Sequence, residues 1–136
     1  MQAWGIETSH DGIVQGAILY CTNSNSYVDQ NAEGEPIPAV WVSYLSSAPW
    51  NREWLGVQGT EGYTGVGSAL LRKAVAHSYF RQGGGRVNLS PADNPRTLGW
   101  YRKRGFVRCD GPDGRRAILE LPEVAARRLL SDWGLS

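Results

Sequence analysis

The strongest constraint on the fold is the order in which strand and helix periodicities alternate after residue 39. "AVWVSYLSS" is dense in β-branched and aromatic residues and stops at Ala48-Pro49, as a strand would. Farther on, Val66, Leu70, Leu71, Ala74, Val75 and Ser78 recur at helical spacing, with Arg72, Lys73, His77 and Arg81 towards the other side. "RVNLS" restarts a strand, and a second, shorter helix is predicted from Pro95 to Lys103, stopping at Gly105. Before this region, "AWGIETS" and "IVQGAILYCT" read as antiparallel strands about the turn "HDG". After it, "FVRCD" and "RRAILEL" form a hairpin, and "PEVAARRLLSDWG" closes the chain as a helix with Pro first and Gly last. The segment from Asn23 to Pro38, rich in Asn, Ser, Gly, Glu and Pro, reads as a loop or an irregular hairpin tip. The resulting order, β-β-β-α-β-α-β-β-α, implies an α/β sheet of mixed strand directions. At 136 residues it is expected to be one domain, 1–136.

Composition narrows the function classes. Fourteen basic and thirteen acidic residues leave a net charge of +1, so no bulk field favours nucleic acid or an anionic membrane. Cys21 and Cys109 form no CxxC pair, which speaks against a zinc site or a disulfide framework. The start, "MQAWGIETSHDG", lacks the features of a signal peptide, and the expected setting is the cytoplasm.

The stretch "GYTGVGSALL" puts bare backbone at the mouth of the first helix. A helix N-terminus presents unpaired N–H groups and the positive end of a dipole, so an anion, phosphate above all, is the expected guest. Two familiar phosphate loops do not fit. Gly62 and Gly67 have the spacing of a triphosphate loop, but Ser68 stands where the lysine belongs. Gly65 and Gly67 begin a GxGxxG, but Leu70 takes its third position. A glycine loop that merely turns the chain is the rival reading.

A second stretch, "NPRTLGWYRKRGF", bears on that choice. Together with "VWVSYLSSAP" and "GYTGVGSALL", it resembles the GCN5-related N-acetyltransferases, the acyl-CoA-dependent GNAT superfamily. There a strand leads into a loop Q/R-x-x-G-x-G/A and a helix, and a later helix carries N-x-x-A-x-x-x-Y-x-x-x-G-F. Gly65 and Gly67 fit the first pattern, and Asn94, Tyr101, Gly105 and Phe106 fit the second with its spacing intact. The resemblance covers roughly residues 3 to 121. It implies a GNAT-like, mainly antiparallel mixed sheet flanked by helices, here lacking the family's usual N-terminal strand and two helices. Gly62 also departs from the pattern, standing where the family has Gln or Arg.

The resemblance implies acetyl-CoA as the acyl donor and transfer to a primary amine, of a small molecule or a peptide, by direct attack in a ternary complex. Tyr63, Thr64, Gly65, Val66, Gly67 and Ser68 would cradle the diphosphate, and Asn94 would help hold the cofactor and start its helix. Leu45 and Ser47 would make backbone contacts to the pantetheine arm, with the strand-end amide at Ser47 stabilising the oxyanion. Tyr101 would protonate the leaving thiolate. Arg102, Lys103 and Arg104 could grip the 3′-phosphate of CoA but, as basic residues near a helix C-terminus, are read as solvated and left out of the site. His77 is read as surface, and His10 as part of a turn. Trp50 and Trp54 could cap an acceptor pocket, the other four tryptophans being core. Glu7 and Asp93 are possible proton acceptors by position. Without the N-terminal unit, Trp4, Ile6 and Val42 are expected to be uncovered, which calls for a homodimer or a fold-back of residues 23–38. The alternative function is a non-catalytic acyl-CoA-binding or interaction domain.

Overall fold

The computed structural model describes residues 2–7, 14–47, 65–92, 94–110 and 117–134, with backbone alone at 6, 7, 47 and 110. Its elements are β1 (Gln2–Glu7), β2 (Val14–Gln30), β3 (Pro36–Ser47), α1 (Val66–Phe80), β4 (Val87–Leu89), α2 (Pro95–Lys103), β5 (Val107–Asp110), β6 (Ala117–Leu121) and α3 (Glu123–Asp132). The strands form one sheet in the order β1-β2-β3-β4-β6-β5. Only β3 and β4 run parallel, because α1 carries the chain across between them. No helix among the described residues is long and apolar enough to cross a membrane.

The stripe predicted from spacing is the one α1 buries: Val66, Leu70, Leu71, Ala74, Val75 and Ser78. It packs on Ile18, Tyr20, Val40 and Val42 of the central strands, and Ala126 and Leu130 of α3 join the same core. Val42 is 5% exposed, which corrects the expectation that it is uncovered: it shares the α1 side of β3 with Val40, two residues away. Trp4 is 44% exposed, as expected of a residue left uncovered, with the Lys73 ammonium 4.0 Å above its ring. The Ile6 side chain lies outside the described residues.

Of the two readings of residues 23–38, loop or irregular hairpin tip, the second holds: most of the segment is strand, paired with register shifts. β2 continues to Gln30 and β3 begins at Pro36. Polar contacts, which periodicity does not register, hold it. Ser26 donates to Glu120 Oε2 at 2.6 Å, the Tyr27 amide to Glu120 Oε1 at 2.8 Å, and Asn88 Nδ2 to Asn25 O at 2.9 Å. Glu120 and Asn88, both 0% exposed, lie on the sheet positions between the core-facing residues of β6 and β4. The tail of β2 therefore covers them. Arg86 adds a clasp, with Asp29 at 2.9 Å and Glu123 at 3.0 Å. At the tip, Asn31 Oδ1 accepts from the amides of Glu33 and Glu35, closing a turn of the Asx kind.

His77 is only partly exposed, correcting its reading as a surface residue: Nδ1 meets the Tyr20 hydroxyl at 3.1 Å, and Nε2 is buried with no hydrogen-bond partner among the described residues. Burial, and then the charge of Arg81 one turn on, lower its pKa from 6.5. The folded state therefore binds this proton less readily than the unfolded chain. His77 contributes stability fully above pH 6.5, and that part is lost as pH falls below it. Urea midpoints are expected to drop between pH 7.5 and 5.5, with a shallower drop in His77→Gln; equal slopes would refute the assignment.

Candidate functional site

β3 and β4 pair only over Val40↔Val87, Trp41↔Asn88 and Val42↔Leu89. β4 ends there, and Ser90-Pro91 follows, whose proline has no N–H for a ladder. β3 runs on to Ser47, held along its far edge by β2 through Leu19↔Tyr44, Ile18↔Leu45, Ala17↔Ser46 and Gly16↔Ser47. From Ser43 onwards its near edge has no strand partner among the described residues. A cleft of about 620 Å³ opens at this split, lined by β3 from Val42 to Ser46, by Leu89 to Ala92, by the first turn of α1 and by one side of α2.

The start of α1 supplies the second wall. Gly65 is its N-cap with φ of 80°, makes no side-chain cap bond, and is followed by no acidic residue in the first turn. An L side chain at that φ costs about 1–2 kcal/mol, so glycine is selected by conformation. Among the described residues, its chain neighbours and its own helix backbone aside, no atom lies within 4 Å of where a Cβ would stand. Gly67 serves another purpose. A Cβ there would sit 3.1 Å from the Trp100 ring, so the indole, rather than a ligand, occupies its bare face. Gly65→Ala is expected to lose about 1–2 kcal/mol of stability by strain, read from the denaturation midpoint; an unchanged midpoint would contradict the left-handed cap.

α2 brings the third wall. Asn94 caps it by accepting the Thr97 amide at 2.8 Å, and Pro95 follows at the position where a missing N–H costs least. Tyr101 is 7% exposed, with its ring edge-on to Trp100 and Phe106 at centroid distances of 5.0 and 5.1 Å. Burial pushes its pKa up to about 12, with the nearby Arg104 charge opposing. The phenol is therefore protonated throughout the neutral range. Arg104, the C-cap of α2, stacks 3.5 Å from the Trp100 centroid, donates to Trp100 O at 2.8 Å, and donates to Ser68 Oγ at 2.9 Å.

The cleft thus gathers Leu45, Gly65, Val66, Gly67, Ser68, Asn94 and Tyr101 from the residues predicted for the site. Ser47 pairs with Gly16 by backbone, its side chain lying outside the described residues, as do Tyr63, Thr64, Trp50, Trp54, His10, Asp93 and the side chain of Glu7. Among the lining residues outside the predicted site are Trp100, taken as core, and Arg104, taken as solvated rather than as a grip on the 3′-phosphate. Their spacing of four places both on one helical face, a signal available in the sequence. Arg96 and Arg104 line the cleft, and no Asp or Glu does so among the described residues.

No protein-family model and no curated protein matches the chain. Solved structures do. A bacterial toxin aligns with TM-score 0.64 at 19% identity, over 98% of this chain and 72% of that one. The Bacillus subtilis N-acetyltransferase YlbP, in complex with coenzyme A, aligns with TM-score 0.54 at 18% identity, over 89% and 68%. A mutant of the toxin AtaT, bound to the C-terminus of the antitoxin AtaR and acetyl-CoA, aligns with TM-score 0.53 at 20% identity, over 87% and 64%. The chain spans about two thirds of the length of these structures. What they share with it is the fold, which is the GNAT fold that the two motifs resemble.

Proposed function

We propose that the cleft binds acetyl-CoA and that the chain is an N-acetyltransferase, moving the acetyl group to a primary amine. The observation that carries this reading is the split of the parallel β3–β4 pair directly beside the glycine-capped start of α1, with a protonated Tyr101 in the same cleft. Acetyl-CoA or coenzyme A in the AtaT and YlbP structures supports the choice of donor.

The residues divide the work by chemistry. Backbone amides at the start of α1, with the Ser68 hydroxyl, suit the donor's diphosphate, because donors and dipole both point at negative charge. The edge of β3 at Leu45, which has no strand partner among the described residues, can hydrogen-bond an extended amide-containing arm, as a strand would. An amide at the Ser47 end stabilises the oxyanion formed when the amine nitrogen attacks the thioester carbonyl. The C–S bond then breaks, and the Tyr101 hydroxyl, held protonated, donates to the departing sulfur. A homodimer belongs to the same reading. Leu19 and Tyr44, opposite one another on β2 and β3, remain exposed and offer a second copy a contact face.

Purified chain incubated with acetyl-CoA and a panel of amines and N-terminal peptides is expected to release free thiol with at least one acceptor. Tight acetyl-CoA binding with no release across the panel would favour a binding module instead.

A further inference from the structure

We infer that Arg104 supplies the cation for the donor's diphosphate, in place of the Gln or Arg that the loop lacks at Gly62, and that Trp100 and Gly67 hold it in position. The inference rests on the acyl-CoA reading of the cleft.

Of the basic run Arg102, Lys103 and Arg104, only the last lines the cleft, while the first two are exposed. Its guanidinium leaves the end of α2 and reaches the first turn of α1, where Ser68 accepts at 2.9 Å. Among the described residues it meets two acceptors, Ser68 Oγ and Trp100 O, and both are neutral. No carboxylate among the described residues faces it, and it stands beside the helix end that favours anions. A guanidinium forks to two oxygens of a phosphate group in a way a lone amide cannot.

Position is secured from behind. The guanidinium carbon lies 3.5 Å from the centroid of the Trp100 ring, which also packs edge-on to Tyr101 and against the bare Cα of Gly67. A methyl group at 67 would press on the ring from 3.1 Å and shift the stack as a unit. The second glycine of the loop motif therefore acts through the arginine, as a positioning residue.

Calorimetric titration of CoA and of dephospho-CoA, which lacks the 3′-phosphate, tests this. Arg104→Gln is expected to weaken both by the same factor, about tenfold or more, the scale of a charge-assisted hydrogen bond. Gly67→Ala should also weaken both in the parent, but should add no further loss in an Arg104→Gln background, because its effect runs through the arginine. Arg104→Lys, which keeps the charge without the fork, should show a smaller loss and carries the test should Arg104→Gln fail to fold. Unchanged affinity for both ligands in Arg104→Gln or Arg104→Lys would overturn the inference while leaving the acyl-CoA reading intact. So would a loss confined to CoA, which would move the arginine to the 3′-phosphate. A parent protein that binds neither ligand would overturn the reading itself.

Discussion

Tyr101→Phe is expected to leave acetyl-CoA affinity unchanged and to slow acetyl transfer by about 10²-fold or more, the scale of a lost general acid. The ring packs between Trp100 and Phe106, contacts that phenylalanine keeps, so only the hydroxyl proton is removed. With its pKa raised to about 12 by burial, that proton is present in every molecule at neutral pH. Activity should accordingly show no falling limb from this group until the pH approaches 12. Single-turnover kinetics would separate the step from binding. Equal rates in the two proteins would remove the hydroxyl from the reaction, and a falling limb near pH 9 that disappears in Tyr101→Phe would contradict its raised pKa.

The largest stability effect is expected at Glu120. Its carboxyl group is 0% exposed and accepts from Ser26, from the Tyr27 amide and from Asn88 Nδ2. Glu120→Ala leaves those donors facing a void. An unsatisfied buried donor costs about 1–3 kcal/mol. Asn88 is fully buried, while Ser26 is half-buried and Tyr27 exposed. About 1–3 kcal/mol should therefore be lost, against the stability of about 5–15 kcal/mol typical of a domain. Urea denaturation would read the loss, and hydrogen exchange at the Tyr27 amide should accelerate more than exchange within α1. A midpoint within about 0.5 kcal/mol of the parent, the usual range for surface changes, would mean that the tail of β2 does not depend on this carboxyl.

Apolar spacing alone determined much that could be read in advance. The α1 stripe, the bounds of α2 and the order of all nine elements follow from periodicity, caps and glycine stops, which are local signals. What remained hidden depends on partners distant in sequence. The tail of β2 pairs through Asn, Ser and backbone groups with Asn88 and Glu120, residues 63 to 94 positions away, so its composition resembled a loop. His77 looked like a polar-face residue until the Tyr20 hydroxyl, 57 positions earlier, came beneath it. The site shows the same division. Asn94 as a cap and Tyr101 as a motif position are legible in a short window. The separate reasons for Gly65 and Gly67 are not, since one is set by a backbone angle and the other by an indole arriving from α2.

The central claim is that the β3–β4 split and the start of α1 form one acyl-CoA site. Titrating acetyl-CoA into ¹⁵N-labelled protein and following the backbone amides tests it most directly. Saturable shifts are predicted at Leu45, Gly65, Gly67 and Ser68, with an affinity of about 1 µM to 1 mM, the range usual for enzyme substrates. Saturation with shifts confined to other surfaces, or no binding at millimolar acetyl-CoA, would contradict it.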